Sequence, residues 1–280
     1  MKNINISWAV FIVGIFFSLN NIFAQSSPPL IVFGLIADTQ YADCESGKTR
    51  FYRNSLGKLH ESIDYFNNQK VQFTVNLGDI IDRDQKDLDS VLICLKHLYK
   101  KLKMPSEYYS FMKKNWVFVF LNTNEIAAYS NVVGTAKEQE LLRIQNQIKV
   151  NKEIQGARWN GGVSSRQLQW LDNLLKKSEK KNRNVLIFCH HPLYPRSQFT
   201  ALNNMEILDV INRYNCVKAI FSGHHHSGAF GYFDHIPCNT VEGMIETPDK
   251  NSFGIVRIYK DRIELEGKER MTSRLFMLQP

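Results

Sequence analysis

Short apolar runs alternate along this chain with segments whose apolar residues recur every three or four positions. The run 30–37 ends at Asp38, and Leu56, Leu59, Ile63 and Phe66 then recur at helical spacing. The run 71–77 reads as a strand ending at Gly78-Asp79, and Leu88, Val91, Leu92, Leu95, Leu98 and Leu102 form the stripe of a second helix. A third strand is predicted over 116–121 and a helix over 138–152. Ser164 or Ser165 caps a helix whose inner face is Leu168, Leu171, Leu174 and Leu175. The strand 185–188 runs into Cys189-His190-His191-Pro192. Met205, Leu208, Ile211 and Tyr214 make a helix, and the strand 217–221 reaches Gly223-His224-His225-His226. Two last runs, 253–259 and 263–265, flank Lys260-Asp261 and predict a hairpin. This alternation predicts an α/β domain, with functional loops beyond the carboxyl ends of the strands.

The first residues stand apart from that pattern. Lys2, the apolar run 8–17 and Ile22-Phe23-Ala24 read as a signal peptide over 1–24, too short to span a bilayer comfortably. The chain is therefore expected to be exported, periplasmic or secreted, without a stable membrane span after cleavage. Residues 25–29 read as a short leader and 30–280 as one domain. The net charge of +8 suits a small anionic substrate and does not by itself imply nucleic acid, which is not expected as a partner. The basic runs at 100–103 and 176–183 fall at predicted helix ends, where cations are favoured anyway. Five widely spaced cysteines form no CxxC pair, and their odd number leaves at least one thiol unpaired.

Chemistry gathers where the apolar runs stop. Asp38 and Gln40 are oxygen donors two residues apart; on extended backbone both side chains would face one way. Taken alone, Asp38 reads as an acid capping a turn. Gly78-Asp79-Ile80-Ile81-Asp82-Arg83 is stronger, because glycine allows a sharp turn that projects Asp79. Asp82 is expected to orient the loop. His224 and His226 have i, i+2 spacing after an apolar strand, and His190 ends another; His191 is expected to stay off the metal. Acids, an amide and imidazoles at four strand ends are what divalent cations need for water-activating chemistry on phosphates. No GxSxG, GxxxxGK[ST], HExxH or GxGxxG occurs. Cys189 beside His190 is not a nucleophile–base pair, since neighbours on a strand face opposite sides.

In this order the motifs resemble the calcineurin-like metallophosphoesterases, two-metal hydrolases of phosphate esters and anhydrides. The resemblance runs over most of 30–270 and narrows to the manganese-dependent ADP-ribose/CDP-alcohol diphosphatases. The narrowing rests on Asp38-Thr39-Gln40, Thr49-Arg50-Phe51-Tyr52-Arg53, Trp159-Asn160-Gly161-Gly162 and Glu242-Gly243-Met244-Ile245-Glu246-Thr247. It implies a four-layer β-sandwich flanked by helices. It also implies two divalent cations, Mn²⁺ before Mg²⁺, iron or zinc. One would be held by Asp38, Gln40, Asp79 and His226, the other by Asp79, His190 and His224, with Asp79 shared. The implied substrate is a small nucleotide-type diphosphate; a broader phosphomonoesterase or phosphodiesterase, or a non-catalytic metal- or nucleotide-binding relative, is the alternative. One departure matters. The family's Gly-Asn-His motif, whose Asn completes the second metal's shell and whose His assists the reaction, occurs nowhere in this chain. The segment that should carry it and an inner strand is missing before Met104-Pro105. His97, mid-helix, is a poor substitute; Asn122 and Asn124 follow a strand and could approach the site. The expectation is a sandwich lacking one inner strand, with weak or no activity.

Overall fold

The computed structural model describes residues 27–82, 106–131 and 133–278. The expected signal segment, the predicted helix 88–102 with Cys94, His97 and the basic run 100–103 lie outside the described residues.

Among the described residues, thirteen strands and four helices form two facing sheets and their cover. The first sheet runs β13-β12-β11-β1-β2, with β1 Ile31–Ile36, β2 Thr74–Asn76, β11 Ser252–Ile258, β12 Arg262–Glu269 and β13 Arg274–Met277. The second runs β3-β4-β7-β8-β10-β9, with β3 Tyr109–Lys113, β4 Trp116–Phe120, β7 Asn184–Cys189, β8 Val217–Ser222, β9 Ala229–Phe233 and β10 Ile236–Thr240. A short pair, β5 Ile126–Ala127 and β6 Gly161–Gly162, stands beside them. The helices are α1 Asn54–Asn68, α2 Ala136–Val150, α3 Ser165–Lys180 and α4 Asn204–Ile211.

The layering follows from alternation along strands that are apolar on both faces. In β7, Leu186 and Phe188 face the first sheet, while Val185, Ile187 and Cys189 face α3 and α4. In β1, Phe33 and Leu35 face the second sheet, whereas Ile36 packs with Leu59, Ile63 and Phe66 of α1. The result is helix, sheet, sheet, helix, as the resemblance implied. Phe118, Phe188 and Phe221 stack across β4, β7 and β8 at 6.2 and 5.7 Å between centroids. Each fully buried ring of this kind contributes about 1.5–3 kcal/mol.

Several sequence expectations shift. The strand expected over 71–77 pairs only over Thr74–Asn76. β3, to which the sequence pattern assigns no element, forms an antiparallel hairpin with β4, from Tyr109 opposite Phe120 to Lys113 opposite Trp116. Tyr214 lies beyond α4, which ends at Ile211. Ser164 is the α3 cap, accepting from Gln167 N–H. The 260–261 hairpin forms between β11 and β12 as expected. Among the described residues the first sheet ends at β2 and the second at β3, so both edges at this corner have a single paired neighbour. A cavity of about 360 Å³ lies between them, walled by Phe73, Tyr109, Phe111, Phe120 and Phe188. Residues 83–105, where the resemblance implies a missing inner strand, lie outside the described residues. No helix of the described residues is long and apolar enough to cross a membrane.

Candidate metal centre

All six predicted donors meet at one end of the sandwich, each just past a strand: Asp38 and Gln40 after β1, Asp79 after β2, His190 after β7, His224 and His226 after β8. Gln40, Asp79, His190, His224 and His226 line one cavity of about 610 Å³ together with Arg50, Asn124, Tyr129, Trp159 and Phe199; Asp38 is fully buried. The alternation that turns Cys189 toward the helices turns His190 toward the other sheet, where β1 and β2 end.

How the donors are aimed differs from the sequence expectation. Asp38 and Gln40 do not sit on extended backbone. Asp38, Gln40, Asp79 and His224 have φ of 51°, 42°, 47° and 66°, a left-handed conformation that non-glycine residues seldom adopt. Four of the six donors thus carry strain that the surrounding structure must hold, a pattern typical of functional sites. Cross-loop backbone bonds do the holding: Asp38 N–H to Gly78 O (3.2 Å), Gln40 N–H to Asp79 O (2.8 Å), Gly223 N–H to His190 O (3.0 Å) and Ile245 N–H to Asp38 O (3.0 Å). The His224 N–H, made available by that turn, donates to both Asp38 carboxylate oxygens at 3.0 Å. Two glycines allow the close approach. A Cβ on Gly78, whose φ is +115°, would lie 2.6 Å from His190 Nδ1, and one on Gly243 would lie 3.0 Å from His226.

Each imidazole has one nitrogen tied to the protein, leaving the other for the centre. His190 Nδ1 donates to Leu77 O at 3.0 Å, and its Nε2 lies 3.3 Å from Asp79. His226 Nδ1 meets Glu246 at 2.7 Å, and its Nε2 lies 3.6 Å from Asp38. His224 Nε2 donates to Asn160 Oδ1 at 3.0 Å, while its Nδ1 lies 3.1 Å from His190 Nε2. Asn160 is locked in that orientation because its Nδ2 donates to Gln155 O and Gln198 O at 2.8 and 2.7 Å. Asn160 and Glu246 were named in sequence motifs without a role; their partners are distant in sequence, so only the fold reveals what they orient. Glu246 also faces Thr49, joining two more motif residues.

The electrostatics suit cations. Asp38 is 0% exposed and Asp79 partly buried, and their ion-pair partners among the described residues are imidazoles, not lysine or arginine. Burial pushes the Asp38 carboxyl up; at Asp79 burial pushes up too, but hydrogen bonds from His190 and Gln40 outweigh it and hold the carboxyl well below its usual range. Burial would lower His190, yet Asp79 lifts it to about 9. His224 is pushed down to about 3 by burial, with the His190 charge adding to the effect. The field that keeps a proton on His190 would favour a divalent cation equally. Gln40 donates Nε2–H to Asp79 at 2.8 Å, while its Oε1 is buried without a hydrogen-bond partner. A buried amide oxygen left over beside two carboxylates fits a cation ligand. Asp38, Asp79 and His190 bring their donor atoms within 4.8 Å of one another, as do His190, His191 and His224. His191 is set apart from that second group: Nδ1 meets Thr123 Oγ1 at 3.0 Å and Nε2 accepts from Gly161 N–H at 3.2 Å, so both ring nitrogens serve the protein.

Asp82 lies 3.7 Å from Arg50 and takes no place in the donor cluster. Cys189 is buried and its thiol is pushed up by burial, which removes it as a nucleophile. Cys44, Cys189, Cys216 and Cys238 are free. Asn122 Oδ1 accepts from Asn124 N–H at 3.0 Å and stays in its own turn, whereas Asn124 reaches the cavity, where its Oδ1 accepts the Tyr129 hydroxyl at 2.6 Å.

Comparison with known proteins fits this architecture. Residues 31–228 match the calcineurin-like phosphoesterase family model. The manganese-dependent ADP-ribose/CDP-alcohol diphosphatase of Oryza sativa subsp. japonica is 31% identical, covering 92% of this chain and 98% of the relative. The Bos taurus protein of the same name is 30% identical, over 90% and 95%. The alignment with the rice protein spans 313 positions, more than the 280 residues of this chain, so the relative carries residues that this chain lacks. A dimetal phosphatase structure from Danio rerio superposes with a TM-score of 0.81 at 27% identity, covering 90% of this chain and 100% of that one. On these matches the chain belongs to the calcineurin-like phosphoesterase family, in the group that contains the ADP-ribose/CDP-alcohol diphosphatases.

Proposed function

We propose that this protein is a Mn²⁺-dependent hydrolase of the phosphoanhydride bond in small nucleoside diphosphate compounds, of the ADP-ribose or CDP-alcohol type. One cation is held by Asp38, Gln40, Asp79 and His226, and a second by Asp79, His190 and His224. The observation that carries the reading is how the imidazoles are held: all three are tied at one nitrogen, and the other faces Asp79 from His190, Asp38 from His226 and His190 Nε2 from His224. Gln40 in place of an imidazole makes the first donor set harder, which favours Mn²⁺ or Mg²⁺ over zinc. Bound cations supply an activated water and charge neutralisation at phosphorus. The chain's own residues do the rest. Arg50, half-exposed at the cavity wall, offers its guanidinium to a second phosphate. Trp159 and Phe199 offer ring faces to a base, and Asn124 and Tyr129 offer polar contacts near Asp79.

The family's Gly-Asn-His pair is absent from the sequence, so turnover is expected roughly 10²–10⁴-fold below that of an intact relative. The test is an assay with Mn²⁺ and ADP-ribose or CDP-choline. Release of a nucleoside monophosphate, abolished by chelation, is the expected result. Preferred hydrolysis of phosphomonoesters or simple phosphodiesters would move the protein to the broader reading within the superfamily. The missing motif also favours a second reading, a metal- and nucleotide-binding protein without catalysis; nucleotide binding with no metal-dependent turnover would establish it. The segment 8–17 supports export. Mature protein recovered from an exporting host should begin at Gln25; a chain retained from Met1 would contradict that.

A further inference from the structure

Lys58 lies on the buried face of α1 and is 5% exposed. Its Nζ donates to Met244 O, Glu246 O and Thr247 O at 3.0, 2.8 and 2.6 Å. Three ammonium hydrogens thus meet three main-chain oxygens of one loop, the loop between β10 and β11. Burying a lysine this way is costly, and the loop it binds is not ordinary. Thr247 there has φ 63°, and Glu246 aims its carboxylate at His226 Nδ1 at 2.7 Å. The same loop donates Ile245 N–H to Asp38 O. Arg270 holds the loop's other end through Gly243 O at 2.7 Å.

We propose that Lys58 is a positioning residue for the first cation: by cross-linking the carbonyls of 244, 246 and 247, it sets the Glu246 carboxylate that orients His226. The proposal rests on the reading of Asp38, Gln40, Asp79 and His226 as ligands. Burial holds Lys58 down to about 8, and Arg270 pushes the same way against Asp249, Glu269 and Glu246, which face it from the opposite sign. The link is therefore built from an amine that has a proton to lose in mildly alkaline solution.

The test is calorimetric Mn²⁺ titration of the full chain and of Lys58→Met, Lys58→Gln and Lys58→Arg. Lys58→Met should weaken one of the two cation sites about tenfold and leave the other unchanged, with Lys58→Arg recovering most of the loss. A purely structural role would weaken both sites together with the melting temperature, and that result, or no change at either site, overturns the proposal. If Lys58→Met does not fold, Lys58→Gln, whose shorter side chain offers two hydrogens in place of three and so breaks the three-carbonyl link, carries the same comparison. Failure of the ligand reading looks different: the unsubstituted chain then binds no cation pair, and this proposal falls with it.

Discussion

The two sides of the metal cavity are built to different standards. On the Asp38–His226 side the chain is bonded from several directions. Ile245 N–H reaches Asp38 O and Gly243 N–H reaches His226 O, while Lys58 and Arg270 pin the carbonyls of the same loop. On the Asp79 side the support is β2, three residues long and, among the described residues, at the edge of its sheet. Next to it lies the apolar cavity between β2 and β3, which reaches Asn124 and His190. In chain order, the family's Gly-Asn-His, absent from this sequence, would fall between β2 and β4. On the proposed assignment, a dinuclear site need not be lost or kept as a unit: the first cation's protein donors would be complete and braced, and the second would rely on two well-oriented imidazoles and one shared carboxylate.

The largest expected effect erases the contrast. Asp79→Asn removes the carboxylate common to both sites, and with it several kcal/mol of charge stabilisation. Turnover should fall on the order of 10³-fold, and Mn²⁺ titration should show both sites weakened; loss of only one would mean that Asp79 is not shared. Gly78→Ala should act on one side. Its Cβ would lie 2.6 Å from His190 Nδ1 at a φ of +115°, so a cost of about 1–3 kcal/mol in urea unfolding is expected. Weakened binding at the second cation, with the first unaffected, should accompany it.

Glu246→Gln and Asn160→Leu act on one side each, because the first replaces a charged orienting acceptor by a neutral amide and the second removes the acceptor altogether. Outer partners of this kind are worth about 10–100-fold in metal affinity. Glu246→Gln should weaken the first cation and Asn160→Leu the second, whereas Asn160→Asp, which keeps an acceptor for His224, should do less. Equal effects of Glu246→Gln and Asn160→Leu on both cations would dissolve the distinction between the sides. The smallest effect belongs to Lys58 and reads as stability against pH. Its folded value, about 8, lies below the ordinary lysine value of 10.5. Between the two the unfolded chain binds the extra proton, so the native state gains stability as pH rises through this window. The gain should be about 1–2 kcal/mol, seen as the difference in unfolding free energy between the unsubstituted chain and Lys58→Met at pH 7.5 and 10. No difference between the two profiles would show that Lys58 is not held in a desolvated position.

Much of this site was legible in the sequence because its donors lie where apolar runs stop, and strand ends are what such runs mark most clearly. The sandwich was legible at the level of the family resemblance, and the two-faced burial of β1, β4 and β7 explains why these segments read as continuous apolar runs. What could not be read was conformation at single residues. The left-handed turns at Asp38, Gln40, Asp79 and His224 leave only a weak trace in residue type: none is a glycine, and the preference of Asp and His for that region is slight beside their other uses. Nor could pairings across the chain be read: His224 finds Asn160 64 positions away, and Lys58 finds Thr247 189 positions away. β3 was hidden because Tyr109, Phe111 and Lys113 pair beside a hairpin whose other arm, β4, carried the stronger apolar signal.

Stepwise Mn²⁺ addition followed by electron paramagnetic resonance decides whether two cations share Asp79. The first equivalent should give an isolated-ion spectrum, bound tightly by Asp38, Gln40, Asp79 and His226. A weaker second equivalent should then give a spin-coupled spectrum, because Asp79 joins the two ions. Two equivalents that bind without coupling, or no binding beyond free Mn²⁺, would contradict it.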